Sequence, residues 1–396
     1  MEKYYFEFVG QIIPQKILNK NFDRLQKMVA ISANTFYTSL LEGLVENDCV
    51  VSAVSRINKK NIQYGTQYNG VNYIFCQYTR NNVIRHISTF FRGIIQIIKL
   101  NLNAKRNKTK PYAVFNVLRI SASLGALLAC KILKVPTIGI VTDAPGHRIN
   151  LKSQGRHFFV LDKIGQFLVG KYDIYMLLTE EMKNVININD KPYTVVEGIY
   201  DSGIDNVVHY TPAHFDTNKF NIVYAGGLHY QYGIMNLVES VLALKYTDIE
   251  LHIYGSGEAE KELVAMASRD HRINFHGLIS RGDLLNYEKQ ASLLVNPRPV
   301  DDEYVKYSFP SKNMEYMASG TPVLLTNIPS LPDEYKEHVY LIESNDSVRL
   351  GQAIEQIYLN QEDYIEMGKK ARDFILQNKT KKKQASKLLD IIAQEV

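Results

Sequence analysis

Ser308-Phe309-Pro310-Ser311-Lys312-Asn313-Met314-Glu315-Tyr316-Met317-Ala318-Ser319-Gly320-Thr321-Pro322-Val323-Leu324 reads as loop, helix, turn and strand. Ser308 or Ser311 can cap a helix start, Pro310 suits a first helical position, and Glu315 follows about one turn later. Met314, Met317 and Ala318 supply an apolar face; Gly320 ends the helix, and Thr321-Pro322 turns the chain into Val323-Leu324-Leu325. A helix start offers unpaired N–H groups and a favourable dipole to a phosphate. Lys312 adds a positive charge there, and Glu315 is placed to reach a sugar hydroxyl. The same signals also describe a surface loop followed by a well-capped helix.

Upstream, the same alternation repeats. Ile222–Ala225 runs into Gly226-Gly227, followed by Tyr232-Gly233-Ile234 and a helix; Leu251–Tyr254 ends in Gly255-Ser256-Gly257; Ile273-Asn274-Phe275 ends in His276-Gly277. Glycines at strand ends let a backbone approach a pyrophosphate, although each alone is equally an ordinary turn glycine. Arg298 follows the apolar strand Ser292–Val295 and reads as a donor-phosphate ligand or a solvated loop charge. In the first half, strands are expected at Tyr4–Val9, Cys49–Val54, Val71–Cys76, Tyr112–Asn116, Thr137–Val141, Ile174–Leu178 and Thr194–Val196. Helical segments at Ser32–Glu46, Ile84–Leu102, Ser121–Leu133 and Lys152–Val169 fall between them. Short apolar strands alternating with helices are the pattern of an α/β protein.

Taken in order, the four elements from Asn221 to Thr326 resemble the donor site of retaining glycosyltransferases of family 4, in the branch with a P-S-K-x-x-E-Y-M-A-S-G segment. The resemblance implies the α/β GT-B fold, two doubly wound Rossmann-like domains facing across a cleft. An acceptor-binding domain is expected over 1–200, a linker over 201–217 and a nucleotide-sugar domain over 218–375. A C-terminal helix over 376–396 would return to the first domain. The donor would meet Gly226, Gly227, Gly255, Gly277, Arg298, Ser311, Lys312 and Glu315. Glu315 would take the ribose and Lys312 the leaving diphosphate. Two departures stand out. Tyr307 occupies the place of the first of two glutamates usually separated by seven intervening residues, with Asp301, Asp302 and Glu303 just upstream as substitutes. Tyr232 stands where many members carry lysine, and Lys312 is the expected compensation.

The 396 residues suit two domains, and 45% hydrophobic with 22% charged residues is a globular balance. Cys49, Cys76 and Cys130 are widely spaced and read as reduced cysteines without a zinc site, as in a cytoplasmic protein. The start carries no signal-like segment, and no run is long and apolar enough to span a membrane. A net charge of +5 is too mild to argue by itself for nucleic acid, and no nucleic-acid partner is expected.

The strand Thr137–Val141 ends in Thr142-Asp143-Ala144-Pro145-Gly146-His147. Asp143 and His147 are candidate catalytic groups on the acceptor side, a carboxylate to hold a hydroxyl or a developing cation and an imidazole to relay a proton. An Asx-type turn and an exposed histidine explain them equally. Gly10, Glu197 and the irregular stretch Gln11–Arg24 are further acceptor-side candidates, with turn chemistry as the alternative. Arg80–Lys110 holds eight Lys or Arg and no acid. Ile84, Ile87, Phe91, Ile94, Ile95 and Ile98 recur at helical spacing within it, a membrane-surface signature or a core-packed helix with a basic outer face. Lys379–Lys383 reads as a solvated basic face.

The expected activity is hexose transfer from a nucleotide diphosphate sugar to a hydroxyl of a glycan or lipid-linked acceptor, in surface polysaccharide or glycoconjugate synthesis. Localisation would be cytoplasmic, at the inner membrane face. No cofactor or metal is expected, since a helix dipole and basic side chains can balance the diphosphate. A non-catalytic GT-B partner subunit and a nucleotide-sugar epimerase are the alternatives, and Tyr307 keeps the first of these open.

Overall fold

The computed structural model describes residues 3–20, 31–56, 67–76, 82–117, 120–143, 165–201, 203 and 215–395. They divide into two compact units, Met1–Ile199 with Thr380–Val396 and Tyr200–Lys379. Most of the expected linker 201–217 and of the helix expected over Lys152–Val169, together with His147, lies outside the described residues.

In unit 1, eight strands form one sheet. They are β1 (Tyr4–Val9), β2 (Val50–Arg56), β3 (Gln67–Tyr68), β4 (Val71–Cys76), β5 (Lys110–Asn116), β6 (Thr137–Val141), β7 (Ile174–Leu177) and β8 (Tyr193–Val195). Their order is β3-β4-β2-β1-β5-β6-β7-β8, parallel except for β3 with β4. The helices are α1 (Gln15–Lys20), α2 (Ile31–Glu46), α3 (Asn82–Asn107), α4 (Ile120–Leu133) and α5 (Met182–Ile186). Parallel pairing requires crossovers, and the crossover helices cover both faces. That is why β6 is buried at every position and reads as a plain apolar run.

Unit 2 builds a second sheet from β9 (Phe220–Gly227), β10 (Ile249–Ser256), β11 (Ile273–Gly277), β12 (Leu293–Asn296), β13 (Val323–Thr326) and β14 (Tyr340–Ile342). The order is β11-β10-β9-β12-β13-β14, parallel throughout. Its helices are α6 (Ile234–Ala243), α7 (Glu260–Ala267), α8 (Arg281–Gln290), α9 (Ser311–Ser319), α10 (Asp333–Lys336), α11 (Ser347–Leu359) and α12 (Gln361–Asn378). Each sheet is doubly wound, as expected. The order reverses between β1 and β5 in one unit and between β9 and β12 in the other. At such a switch point the flanking loops part beyond the carboxyl strand ends and leave room for a ligand.

The last helix, α13 (Lys381–Gln394), belongs to unit 1. Its Ala385, Leu388 and Ile392 enter the same core as Phe6, Phe8, Leu40 and Leu44. The basic cluster Lys379–Lys383 is only partly a solvated face, with Lys382 and Lys383 exposed. Lys379 is buried, pairs with Glu334 and lies over the rings of Tyr335 and Phe374, while Lys381 Nζ sits 2.6 Å from Glu42. The stretch expected to be irregular contains α1.

The basic helix also differs from its core-packed reading. Ile84, Ile87, Phe91, Ile95, Ile98 and Leu102 are exposed, each by 42–57% of its surface. The packed stripe is instead Thr89, Gly93, Ile97, Leu100 and Ala104. Small residues set this choice: a Cβ on Gly125 of α4 would lie 2.1 Å from the Phe90 carbonyl, so α3 and α4 pack backbone to backbone. Leu124, Leu128 and Ile132 of α4 are exposed as well. Among the described residues no helix is long and apolar enough to cross a membrane.

Candidate active site

The carboxyl ends of β9, β10 and β12 form one crest of unit 2. Gly226 and Gly227 close β9, and Leu228 N donates to Ser256 O at 3.0 Å. Gly255 has φ +142, and a Cβ there would stand 1.9 Å from Gly226 O. Gly233, at φ +79, precedes α6, and its Cβ would stand 1.9 Å from Pro297 O. Only glycine tolerates both the positive φ and the contact. The β9–α6 loop therefore lies directly against the exit of β12. Gly277 closes β11 at φ +68 with open space around its Cβ position.

Arg298 leaves β12 at this point. Its backbone is fixed, with Thr326 Oγ1 donating to its carbonyl at 2.6 Å and its own N–H donating to Asn296 O at 3.1 Å. The guanidinium lies 3.5 Å over the ring of Tyr232. Tyr304 donates from its hydroxyl to Gln231 O at 3.0 Å. Burial raises the Tyr304 hydroxyl above its ordinary pKa, and the neighbouring Arg298 opposes that rise.

The helix α9 begins beside this crest. Its N-cap is Pro310, one position later than expected, and no side chain caps it. Ser311 is therefore the first helical residue rather than a cap, and it is exposed. The helix is held by its buried face: the Tyr316 hydroxyl accepts from Ala225 N at 2.7 Å, and Asn296 Nδ2 donates to Asn313 Oδ1 at 2.6 Å. Met314, Tyr316 and Met317 are buried, at about 1.5–3 kcal/mol for each large apolar side chain.

Lys312 is not a free charge. Its Nζ lies 3.1 Å from Glu288 Oε1 of α8 and 3.0 Å from Glu315 Oε1, and Arg281 reaches Glu315 Oε2 at 3.8 Å. Burial pushes the Glu288 carboxyl up to about 7 against the pull of Lys312. Burial works the same way on Glu315, but Lys312 and Arg281 outweigh it and hold that carboxyl below its usual range. For Lys312, burial opposes the charge, and the two glutamates more than restore it. Glu288 and Arg281 carry no local sequence signal. The prompt for them is Lys312 itself, a helix-start lysine that becomes half-buried and so needs counter-charges.

A third group lies at β10 and β11. His252 Nε2 is 3.0 Å from Asn221 Oδ1, and His252 Nδ1 is 3.1 Å from His276 Nε2. Tyr254 stacks on His276 with ring centres 4.6 Å apart. Burial pushes His252 down to about 4, so it is neutral at ordinary pH. The Asn221 carbonyl then fixes the proton on His252 Nε2.

The structure thus brings Gly226, Gly227, Gly255 and Arg298 together at one crest, with Ser311 and Lys312 on the first turn of α9 and Glu315 one turn further in. Asp301, Asp302 and Glu303 are exposed, and Tyr307 ends the single helical turn Glu303–Tyr307. Gly10, Asp143 and Glu197 belong to unit 1. Gly10 follows β1, where a Cβ would press on Phe8 and Asn116. Asp143 is exposed just after β6 and accepts from Thr142 Oγ1 at 3.3 Å. Glu197 is buried, with Lys387 3.9 Å away and Gln384 Nε2 donating at 3.5 Å, so its visible role is to seat α13. Cys49 and Cys130 are buried thiols, pushed up by burial to about 11 and about 12.

Residues 212–374 match the family model of the glycosyl transferases group 1. The matched segment covers the whole crest and α9. A Haemophilus influenzae protein described as an uncharacterized glycosyltransferase is 30% identical over 141 residues, which is 34% of this chain and 38% of that protein. The chain thus matches well under half the length of that relative. Among solved structures, sucrose-phosphate synthase from Thermosynechococcus elongatus superposes with TM-score 0.66 and 13% identity, over 99% of this chain and 98% of that one. Anabaena HepE in complex with UDP gives TM-score 0.62 and 10% identity, over 99% and 100%. At these identities the likeness concerns the fold, and that fold is GT-B.

Proposed function

We propose that the protein is a retaining glycosyltransferase, moving a hexose from a nucleoside diphosphate sugar to a hydroxyl of a glycan or lipid-linked acceptor in surface polysaccharide or glycoconjugate synthesis. The observation that carries this reading is the crest of the group 1 domain. Two glycines at the end of β9, the Arg298 guanidinium and the uncapped start of α9 converge there. Backbone N–H groups and a helix start suit a diphosphate, and a guanidinium beside them stabilises charge that grows as the sugar–phosphate bond breaks. The departing β-phosphate takes the acceptor proton on the same face, so the diphosphate leaves protonated and no strong enzymic base is required. Asp143 and His147 are the acceptor-side groups in this reading. Arg298 and the helix start balance the diphosphate without a metal ion.

The exposed apolar stripe of α3, with Arg92, Lys99, Lys105, Arg106 and Lys108 beside it, supports contact with an anionic membrane face. Apolar side chains enter the acyl boundary while lysines and arginines meet the headgroups. Such contact would bring a lipid-linked acceptor to unit 1.

Thermal unfolding with UDP, GDP and ADP tests the donor reading, since a ligand of the folded state raises its stability by mass action. UDP comes first because HepE was solved with it. A stabilising diphosphate, followed by slow release of free sugar and diphosphate from the matching donor, supports a transferase. Release of an epimerised sugar points to an epimerase, and the absence of any nucleotide effect to a non-catalytic partner.

A further inference from the structure

We propose that Tyr232 is a positioning residue for Arg298, and that this stacked pair, not Lys312, supplies the cation that grips the donor diphosphate. The inference rests on the glycosyltransferase reading above and deepens it.

Lys312 is spoken for. Two carboxylates lie within 3.1 Å of its ammonium group, and one of them, Glu288, is wholly buried. A phosphate arriving there would compete with both. Arg298 has no carboxylate partner among the described residues, and its Nε is buried without a hydrogen bond. An arginine left in that condition is waiting for an acceptor, because a buried unpaired donor is costly.

Arg298 is held by flat contact and by a hydrogen bond with the Tyr304 side chain. Its guanidinium carbon stands 3.5 Å from the Tyr232 ring centre, a stacking distance. Tyr232 is itself fixed. Its N–H donates to His229 O at 2.9 Å, its ring meets the His229 ring edge-on at 5.1 Å, and a Cβ on Gly227 would touch it at 3.1 Å. The ring thus sits directly above the glycine pair that closes β9. Tyr304 borders the same space, tied to Gln231 O. Stacking on one face leaves the edge of the guanidinium for a bidentate contact with phosphate oxygens, the geometry that distinguishes arginine from lysine. Where Tyr232 replaces a lysine, the positive charge has moved to the β12 exit and the old position has become its platform.

The test uses the full chain and four probes: UDP, GDP, ADP, and the nucleoside of whichever diphosphate binds. In Tyr232→Leu, affinity for that diphosphate should fall about tenfold or more while nucleoside affinity stays within twofold. Tyr232→Phe, which keeps the ring, should bind like the parent. Arg298→Lys should match Tyr232→Leu, and the double variant should be little worse than either single change. Parental diphosphate affinity in Tyr232→Leu overturns the proposal. So does an equal loss of nucleoside binding, which is what general damage to the crest would give. If the parent itself binds none of the three diphosphates, the donor reading fails and this inference falls with it; a binding parent with an unaffected Tyr232→Leu sinks only the inference.

Discussion

Glu288 lies wholly buried in α8 with its Oε1 3.1 Å from the Lys312 ammonium on α9. The pair joins two helices that share no sequence neighbourhood. Breaking it from the lysine side strands a buried carboxylate, whereas removing both charges does not. Lys312→Met should therefore cost unit 2 about 2–4 kcal/mol, below the fully buried range because the lysine is partly exposed. Glu288→Gln combined with Lys312→Met should recover most of that loss. Urea unfolding of the three proteins decides it, and a Lys312→Met protein as stable as its parent would remove the structural role.

Glu7 gives unit 1 a pH dependence. It is buried in β1, accepts from Gln96 Nε2 at 2.9 Å and is hydrogen-bonded by Ser52. Burial raises its carboxyl from 4.5 to about 7. The folded state then holds the proton more tightly than the unfolded chain. Its contribution is full below the unfolded value, declines as pH rises through about 7, and has lost about 3 kcal/mol above that. Glu7→Gln should flatten unit 1's stability between pH 5 and 8 and raise it at pH 8. An unchanged slope in denaturant titrations would show that Glu7 is not the group responsible.

Asp143 tests the acceptor side. If it holds the acceptor hydroxyl or steadies the sugar cation, Asp143→Asn should slow transfer roughly a hundredfold. Donor affinity measured by calorimetry should hardly change. Transfer near the parental rate returns Asp143 to a turn role.

Metal removal has a defined outcome under the proposed mechanism. With Arg298 and the α9 start balancing the diphosphate, EDTA should leave the initial transfer rate within about twofold. Loss of activity restored by a divalent ion would contradict that charge balance.

Membrane contact is checked on exposed side chains whose change leaves the core alone. Phe91→Asp with Ile95→Asp should abolish co-sedimentation with vesicles of anionic phospholipid and leave thermal unfolding nearly unchanged. Parental binding should weaken with salt, as headgroup attraction is screened. A parent that ignores such vesicles at low salt ends this part of the reading.

The strands were the most legible part of the fold. β1, β4 and β6 lie where the apolar runs place them, because strands covered on both faces need only be apolar and bounded by turns. α12 was missed. Its contact with α9 is made by Gly368, whose Cβ would stand 2.5 Å from Gly320 O, and by Ala371 and Ile375. Such a thin, small-residue stripe does not register as periodicity. In α3 the periodic stripe was visible but faces outward, since close packing on α4 selects Gly93 and Ala104 instead. At the site, the glycines and Arg298 could be read from strand ends. The engagement of Lys312 with Glu288 could not, because that counter-ion is 24 positions away on another helix.

Unit 1 is discontinuous in the chain, and this bears on how the protein is made. A ribosome delivers Met1–Ile199 first, then all of unit 2, and only afterwards α13. At roughly 5–20 residues per second, that leaves the first unit without Ala385, Leu388 and Ile392 in its core for some tens of seconds or less. Unit 2 can finish folding while its predecessor is still open. During that interval Leu40, Leu41 and Leu44 of α2 lack the α13 side chains that complete their core.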